Sequence, residues 1–192
     1  MEEIIKQAKL RNLPIVRPKT LEMLLNCIKE NNPKEILEVG TCIGYSAVNM
    51  LLNSDANLTS IELYEPNVVM AKQNLNRLGL IDRADLRLGD AKVILKNLVA
   101  ENKKFDLIFL DGPKGQYLNY LPDLTALLNK GGIIFADDVL FRGLVLGEEW
   151  VEHSYRTIVV NLRKYLQEVK KPPYSSEIFD IEDGVCISKK VD

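Results

Sequence analysis

Residues 35–50 read EILEVGTCIGYSAVNM. The stretch begins as an apolar run of strand length, passes Gly40 and Gly44, and continues from Tyr45 as helix-compatible sequence. A glycine-rich turn between a strand and a helix N-terminus exposes unpaired N–H groups at the positive end of the helix dipole, where a carboxylate or phosphate binds. The dinucleotide fingerprint in this place is Gly-x-Gly-x-x-Gly. Cys42 takes the position of its middle glycine, so a pyrophosphate would meet a side chain. The expected ligand is nucleotide-like and lacks a pyrophosphate.

The same alternation continues along the chain. After EILEVG and a helix over Tyr45–Leu52 come LTSIEL and a helix at 66–78, ADLRLG and a helix at 91–99, FDLIFLD and a helix at 117–128, then GGIIFADD and a long helix near 154–169. Apolar strands alternating with amphipathic helices predict an α/β fold: a doubly wound, mainly parallel, Rossmann-like sheet covered on both faces. In the last helix Ile158, Leu162, Tyr165, Leu166 and Val169 share one face, which reads as core, with Arg163, Lys164 and Glu168 outward. EIFDI and GVCISKK flank EDG, a turn signal that joins two closing strands into an antiparallel hairpin and brings the sheet to seven strands. The helical prelude at 2–12 and 19–31, broken at Pro14 and Pro18, belongs to the same unit, so residues 1–192 form one domain with 1–32 as its N-terminal helical segment.

Charge and cysteine content narrow the chemistry. A net charge of −2 excludes a generally basic nucleic-acid binder, while leaving room for a local basic patch. The cysteines, Cys27, Cys42 and Cys186, are far apart and odd in number, and neither a secretory segment nor an apolar run of membrane-spanning length is present. A reduced, cytoplasmic setting is expected. The single histidine, His153, sits beside Glu148, Glu149 and Glu152 and reads as a solvated surface residue. Histidine-based nucleophile triads and zinc sites are thereby disfavoured, and any metal should have oxygen ligands, as Mg²⁺, Mn²⁺ or Ca²⁺ do.

In a doubly wound sheet, ligands bind beyond the carboxyl ends of the strands. Those ends are mostly acidic here: Glu38–Gly40, Glu62, Gly89–Asp90, Asp111 and Asp137–Asp138. Glu62, about 20 residues past the glycine turn, is placed to accept hydrogen bonds from both ribose hydroxyls. Asp90 is placed to accept from an adenine amino group, although GDA also reads as a helix cap. Asp111, Asp137 and Asp138 end two adjacent strands, and a hard divalent cation resolves the repulsion among them.

EVGTCIGYS, IELYEP, GDA, FLDGPKGQY and ADDVLF, in this order, resemble the cation-dependent class I O-methyltransferases, the family of catechol and caffeoyl-CoA O-methyltransferases, over about residues 13–190. Within it, LDGPKGQY, DDVLFRGLV and DGVCISKK are most similar to the bacterial tRNA 5-hydroxyuridine methyltransferases. The resemblance implies S-adenosylmethionine as methyl donor, a ligand with a carboxylate, a ribose and an adenine but no phosphate. It implies Glu38, Gly40, Thr41, Gly44 and Ser46 around the methionine part, Glu62 on the ribose, Gly89, Asp90 and Ala91 at the adenine, and Val16 in a segment that closes over the ligand. It places Mg²⁺ (or Mn²⁺) on Asp111, Asp137 and Asp138, with Asp111 also beside the donor, and the general base on Lys114.

The family usually carries Asp-Asn where this chain has Asp137–Asp138, which implies a more negative metal site. One helix fewer before Leu13 bears on the lid and on the contacts of a homodimer. For a tRNA substrate, Arg17 and Arg142, together with Arg11 and Lys19, are expected to contact phosphate near the mouth; a small catechol-like phenol, the alternative substrate, would not need them. Two other classes fit less well: an NAD-dependent dehydrogenase needs the pyrophosphate turn that Cys42 spoils, and a non-catalytic RNA-binding module needs a basic face or an exposed aromatic set that is not readable here.

Overall fold

Ile36, Leu37 and Val39 are all buried because their strand has helices on both of its faces. The strands are β1 (Glu35–Val39), β2 (Asn57–Glu62), β3 (Ala84–Leu88), β4 (Phe105–Leu110), β5 (Leu128–Ala136), β6 (Tyr174–Phe179) and β7 (Val185–Lys190). The helices are α1 (Glu2–Leu10), α2 (Pro18–Asn31), α3 (Tyr45–Leu52), α4 (Glu65–Arg77), α5 (Ala91–Ala100), α6 (Tyr117–Leu127) and α7 (His153–Glu168). The structure is a computed structural model that describes residues 1–147 and 150–191, so the expected neighbours Glu148 and Glu149 of His153 lie outside the described residues. All seven strands form one sheet in the order β3-β2-β1-β4-β5-β7-β6. The pairs among β1 to β5 are parallel, and β7 runs antiparallel to both β5 and β6. The expected α/β sheet of seven strands with a closing hairpin is the observed one.

Alternate residues of each central strand feed two cores. Leu37, Ile108 and Ile134 meet Leu95, Leu124 and Leu162 of α5, α6 and α7, while Ile36, Leu107 and Phe135 meet Leu24, Val48 and Leu75 of α2, α3 and α4. Strand β3, at the sheet edge, is only half covered and carries the exposed Leu88. Register then sets the functional edge. Val39 pairs with both Ile61 and Leu110, Leu110 with Ala136, and Ala136 with Cys186. The parallel strands therefore stop level with one another, and the reversal at β7 brings the β6–β7 turn to that same edge.

Three local expectations are corrected. Pro18 heads α2 as its first residue, where a missing N–H costs nothing, and does not break a helix. Arg163 does not point away from the protein: its guanidinium donates to the carbonyls of Val145 (2.9 Å), Leu144 (3.0 Å) and Gly147, fastening the loop after β5 onto α7. The fully buried α7 residue at that level is Val159, with Ile158 half-buried beside it. Among the described residues, no helix is long and apolar enough to cross a membrane.

Gly184, in the β6–β7 turn, has φ +87°, and a Cβ there would lie 2.2 Å from Cγ of the buried Leu140. Gly184→Ala is expected to destabilise the fold by about 2–4 kcal/mol through left-handed strain and overpacking, measured as a lowered denaturant midpoint with unchanged slope.

Candidate active site

A cavity of about 470 Å³ opens at the carboxyl edge of the sheet. Val16, Arg17, Gly40, Glu62, Gly89, Asp90, Ala91, Asp111, Lys114, Asp137 and Asp138 line it, all of them expected site residues. Glu38, Thr41, Gly44 and Ser46 do not line it and lie behind the turn. The Glu38 carboxylate is completely buried and accepts hydrogen bonds from the hydroxyls of Ser46 and Ser60, and Thr41 Oγ1 lies 2.5 Å from Ser60 Oγ. Burial raises the Glu38 carboxyl to about 7 against the pull of the two hydroxyls. This network braces the turn from beneath.

Gly40 answers to a neighbour as much as to a ligand. Its φ is +105°, and a Cβ there would stand 2.4 Å from the carbonyl oxygen of Asp111, so β1 and β4 can end side by side only with glycine here. Gly44 caps α3 at φ +80° and packs against Ala71. Cys42, where a dinucleotide turn has its second glycine, lines the cavity, and its N–H donates to Glu62 Oε2 at 2.8 Å. Glu62 Oε1 accepts from the Tyr64 N–H at 2.8 Å. Both oxygens thus have one lone-pair direction fixed by backbone, which leaves a carboxylate of defined orientation at the cavity wall. Asp90 caps α5 through the Lys92 N–H at 2.8 Å, as the GDA reading expected, and also lines the cavity.

Asp111, Asp137 and Asp138 offer oxygens that lie within 4.8 Å of one another. Burial, reinforced by Asp111 and Asp138, raises the Asp137 carboxyl to about 7. Burial also raises Asp111, in opposition to Lys114. The Lys114 ammonium sits 2.6 Å from Asp111 Oδ1 and 3.1 Å from Asp138 Oδ2. Burial would lower its pKa, but the negative charge around it, that of Asp111 and Asp138, outweighs that and holds it well above the ordinary lysine value. In this arrangement Lys114 is a counter-ion. An all-oxygen donor set of this size suits a hard divalent cation.

Arg17 is not a free cation at the mouth. Its Nη2 lies 3.2 Å from Asp138 Oδ1 and 2.5 Å from Asp183 Oδ2, so the charge that Asp138 adds over the family asparagine meets Arg17 on one side and Lys114 on the other. Arg142, unlike Arg17, does not line the cavity; its guanidinium lies 5.1 Å from the Tyr155 ring centroid and 5.8 Å from that of Phe141, and it donates to the Tyr155 hydroxyl at 3.1 Å. With Arg156 over the exposed Trp150, this makes an aromatic and cationic surface that the sequence did not reveal, because its members come from a loop and the next helix. Leu63, Asn67 and Tyr120 also line the cavity unforeseen. Leu63 and Asn67 follow Glu62 closely enough that the strand-end rule points to them. His153 is exposed, as expected.

The family model for O-methyltransferase matches residues 3–191, and the chain belongs to that family, an enzyme class. It is 30% identical to caffeoyl-CoA O-methyltransferase 1 of Eucalyptus globulus over 89% of this chain and 71% of that one. A catechol O-methyltransferase of Niastella koreensis is 37% identical over 62% of this chain and 55% of its own length. The crystal structure of an O-methyltransferase from Bacillus cereus in complex with SAH (S-adenosylhomocysteine) is 25% identical and superposes with a TM-score of 0.88, covering 98% of this chain and 89% of that one.

Because the Glu38 carboxyl titrates near 7 in the fold and near 4.5 when unfolded, its protonated form favours folding. That contribution is complete below the unfolded value and is lost as pH rises toward 7. Glu38→Gln, which cannot ionise, should gain on the wild type by on the order of 3 kcal/mol between pH 4.5 and 8, seen by comparing chemical melts of the two proteins at each pH. Gly40→Ala should fold with separated β1 and β4 ends and lose about tenfold in donor affinity by calorimetry, since a shift of a few tenths of an ångström displaces both Asp111 and the turn.

Proposed function

We propose that this protein binds S-adenosylmethionine in the 470 Å³ cavity and, with a divalent cation on Asp111, Asp137 and Asp138, methylates an acidic hydroxyl oxygen. The carboxylate cluster opening into the same cavity as Glu62 is the observation that carries this reading. When bound, the donor supplies an electrophilic methyl carbon, and the cation supplies positive charge that lowers the pKa of a coordinated hydroxyl.

The chain's own residues then have definite tasks. Glu62, oriented by the Cys42 and Tyr64 amides, accepts from the ribose hydroxyls. Asp90 and Ala91 border the adenine, and Gly40 with Val16 borders the methionine part. Glu38, Thr41, Gly44 and Ser46 act from behind by holding the turn. Lys114 is held protonated by Asp111 and Asp138 in the structure. With a divalent cation among those carboxylates its ammonium would be disfavoured, and the neutral amine, standing beside Asp111 and Asp138, would be placed to take the proton of the acceptor hydroxyl. One domain suffices for all of these roles, and the three free cysteines support a reduced, cytoplasmic setting.

For the acceptor, we favour 5-hydroxyuridine at the tRNA wobble position. The support is the similarity of LDGPKGQY, DDVLFRGLV and DGVCISKK, together with the surface of Phe141, Arg142, Tyr155, Trp150 and Arg156, which suits unstacked bases and backbone. The relatives named for caffeoyl-CoA and catechol favour a second reading, a small phenol with a neighbouring oxygen. Both acceptors present an acidic hydroxyl beside another oxygen, which is what a cation among carboxylates would chelate.

Glu62→Ala should weaken S-adenosylmethionine binding by about tenfold or more in calorimetry, because two charge-assisted hydrogen bonds are lost. EDTA should abolish turnover, and Mg²⁺ or Mn²⁺ should restore it. Mass spectrometry of nucleosides should find methylated hydroxyuridine after incubation with tRNA, and an Arg142→Ala, Arg156→Ala variant should lose that product while sparing a catechol. Efficient catechol methylation with no tRNA product would overturn the tRNA assignment.

A further inference from the structure

The β6–β7 turn lies at the carboxyl edge of the sheet because β7 runs antiparallel to β5, and it brings two carboxylates to the N-terminal segment. Glu182 accepts from the Thr20 N–H at 2.9 Å and the Thr20 hydroxyl at 2.8 Å, with the Lys19 N–H 3.4 Å away. Helix α2 has no cap from its own Arg17 side chain, so a residue more than 160 positions away satisfies its first-turn donors and meets its positive dipole end. Asp183 holds Arg17 at 2.5 Å, and the same Arg17 nitrogen reaches Asp138. Between these anchors and a left-handed Asn12, residues 13–17 run along the cavity and line it. Only the anchored end of this segment is tied by charge. At the other end, a single Leu13 N–H donates to the Ala8 carbonyl at 2.9 Å.

We infer that Glu182 and Asp183 form a latch that fastens residues 13–17 over the ligand, and that Asp183 is a positioning residue for methyl transfer, acting through Arg17. Asp183 keeps Arg17 turned toward Asp138. Closure of the segment and the orientation of the third carboxylate are therefore one event. Arg17 is partly exposed, its side chain being 42% accessible, so the ion pair has water at hand when it opens, and the segment can release product. The functional half of this inference rests on the reading that the cavity holds S-adenosylmethionine and its product.

The test compares wild type with Asp183→Asn, which keeps shape and removes charge, with Asp183→Glu, which keeps charge, and with Glu182→Gln. Amide exchange in the ligand-free full chain reads the latch without any ligand. In Asp183→Asn, residues 11–17 should exchange at least about fivefold faster, with the central strands unchanged. Stopped-flow release of SAH should be faster in Asp183→Asn by about five- to tenfold and partly restored in Asp183→Glu, with KM for the donor rising more than kcat falls. Glu182→Gln should shift exchange at 17–20 in the same direction. Uniform acceleration of exchange across the core would make Asp183 merely structural and overturn the proposal, as would release and local exchange unchanged within about twofold in both Asp183→Asn and Glu182→Gln. Failure of SAH to bind the wild type overturns the reading of the cavity, and with it the effect on release, while exchange still decides the latch.

Discussion

Three carboxylates whose oxygens lie within 4.8 Å of one another repel, and burial sharpens that repulsion. The surroundings answer it in graded ways. Asp137, the most enclosed, is raised to about 7. Asp111 is paired with Lys114, and Asp138 is shared between Lys114 and Arg17. Two cations from distant parts of the chain, one from the loop after β4 and one from the segment before α2, are thus committed to the same cluster. A divalent ion entering there would compete with both, and its occupancy would then be thermodynamically linked to the lysine's protonation and to the position of the N-terminal segment.

The architecture was legible because burial on both faces and strand length leave a direct imprint on the order of apolar residues. The acidic strand ends were legible for a related reason: parallel strands of similar length in a doubly wound sheet end together, so the residue after each apolar run is a site candidate. What escaped reading were partnerships across the chain. EDG announced a turn and nothing more, since no local pattern tells that Glu182 caps a helix near residue 18 or that Asp183 takes Arg17. Arg17 was therefore assigned to a phosphate when a carboxylate had already claimed it. Arg163 was assigned to solvent by helical periodicity, which counts faces but does not foresee a loop folding over one of them.

Residues can also serve a site without touching its contents. Glu38, Thr41 and Ser46 carry the motif in the turn yet lie beneath it, and a wholly buried carboxylate with two hydroxyl partners is a costly brace. It ties the end of β1 to α3 and β2 through Ser46 and Ser60, and the backbone N–H of Cys42 is in turn held by Glu62. The motif residues therefore divide into those that line the cavity and those that set the backbone of its wall.

Tyr117 lies close to Lys114, with the ammonium 5.7 Å from its ring centroid, a position that invites a role in the proton chemistry. Its hydroxyl is fully enclosed and shares one proton between the carbonyls of Leu110 and Asp137, at 2.9 and 3.1 Å. Burial drives its ionisation far beyond any working pH. The phenol is in effect a rivet through the ends of β4 and β5: it sets the gap between the backbones that carry Asp111 and Asp137. The spacing of the two carboxylates that a cation would meet is thereby dictated by main chain before any side chain adjusts.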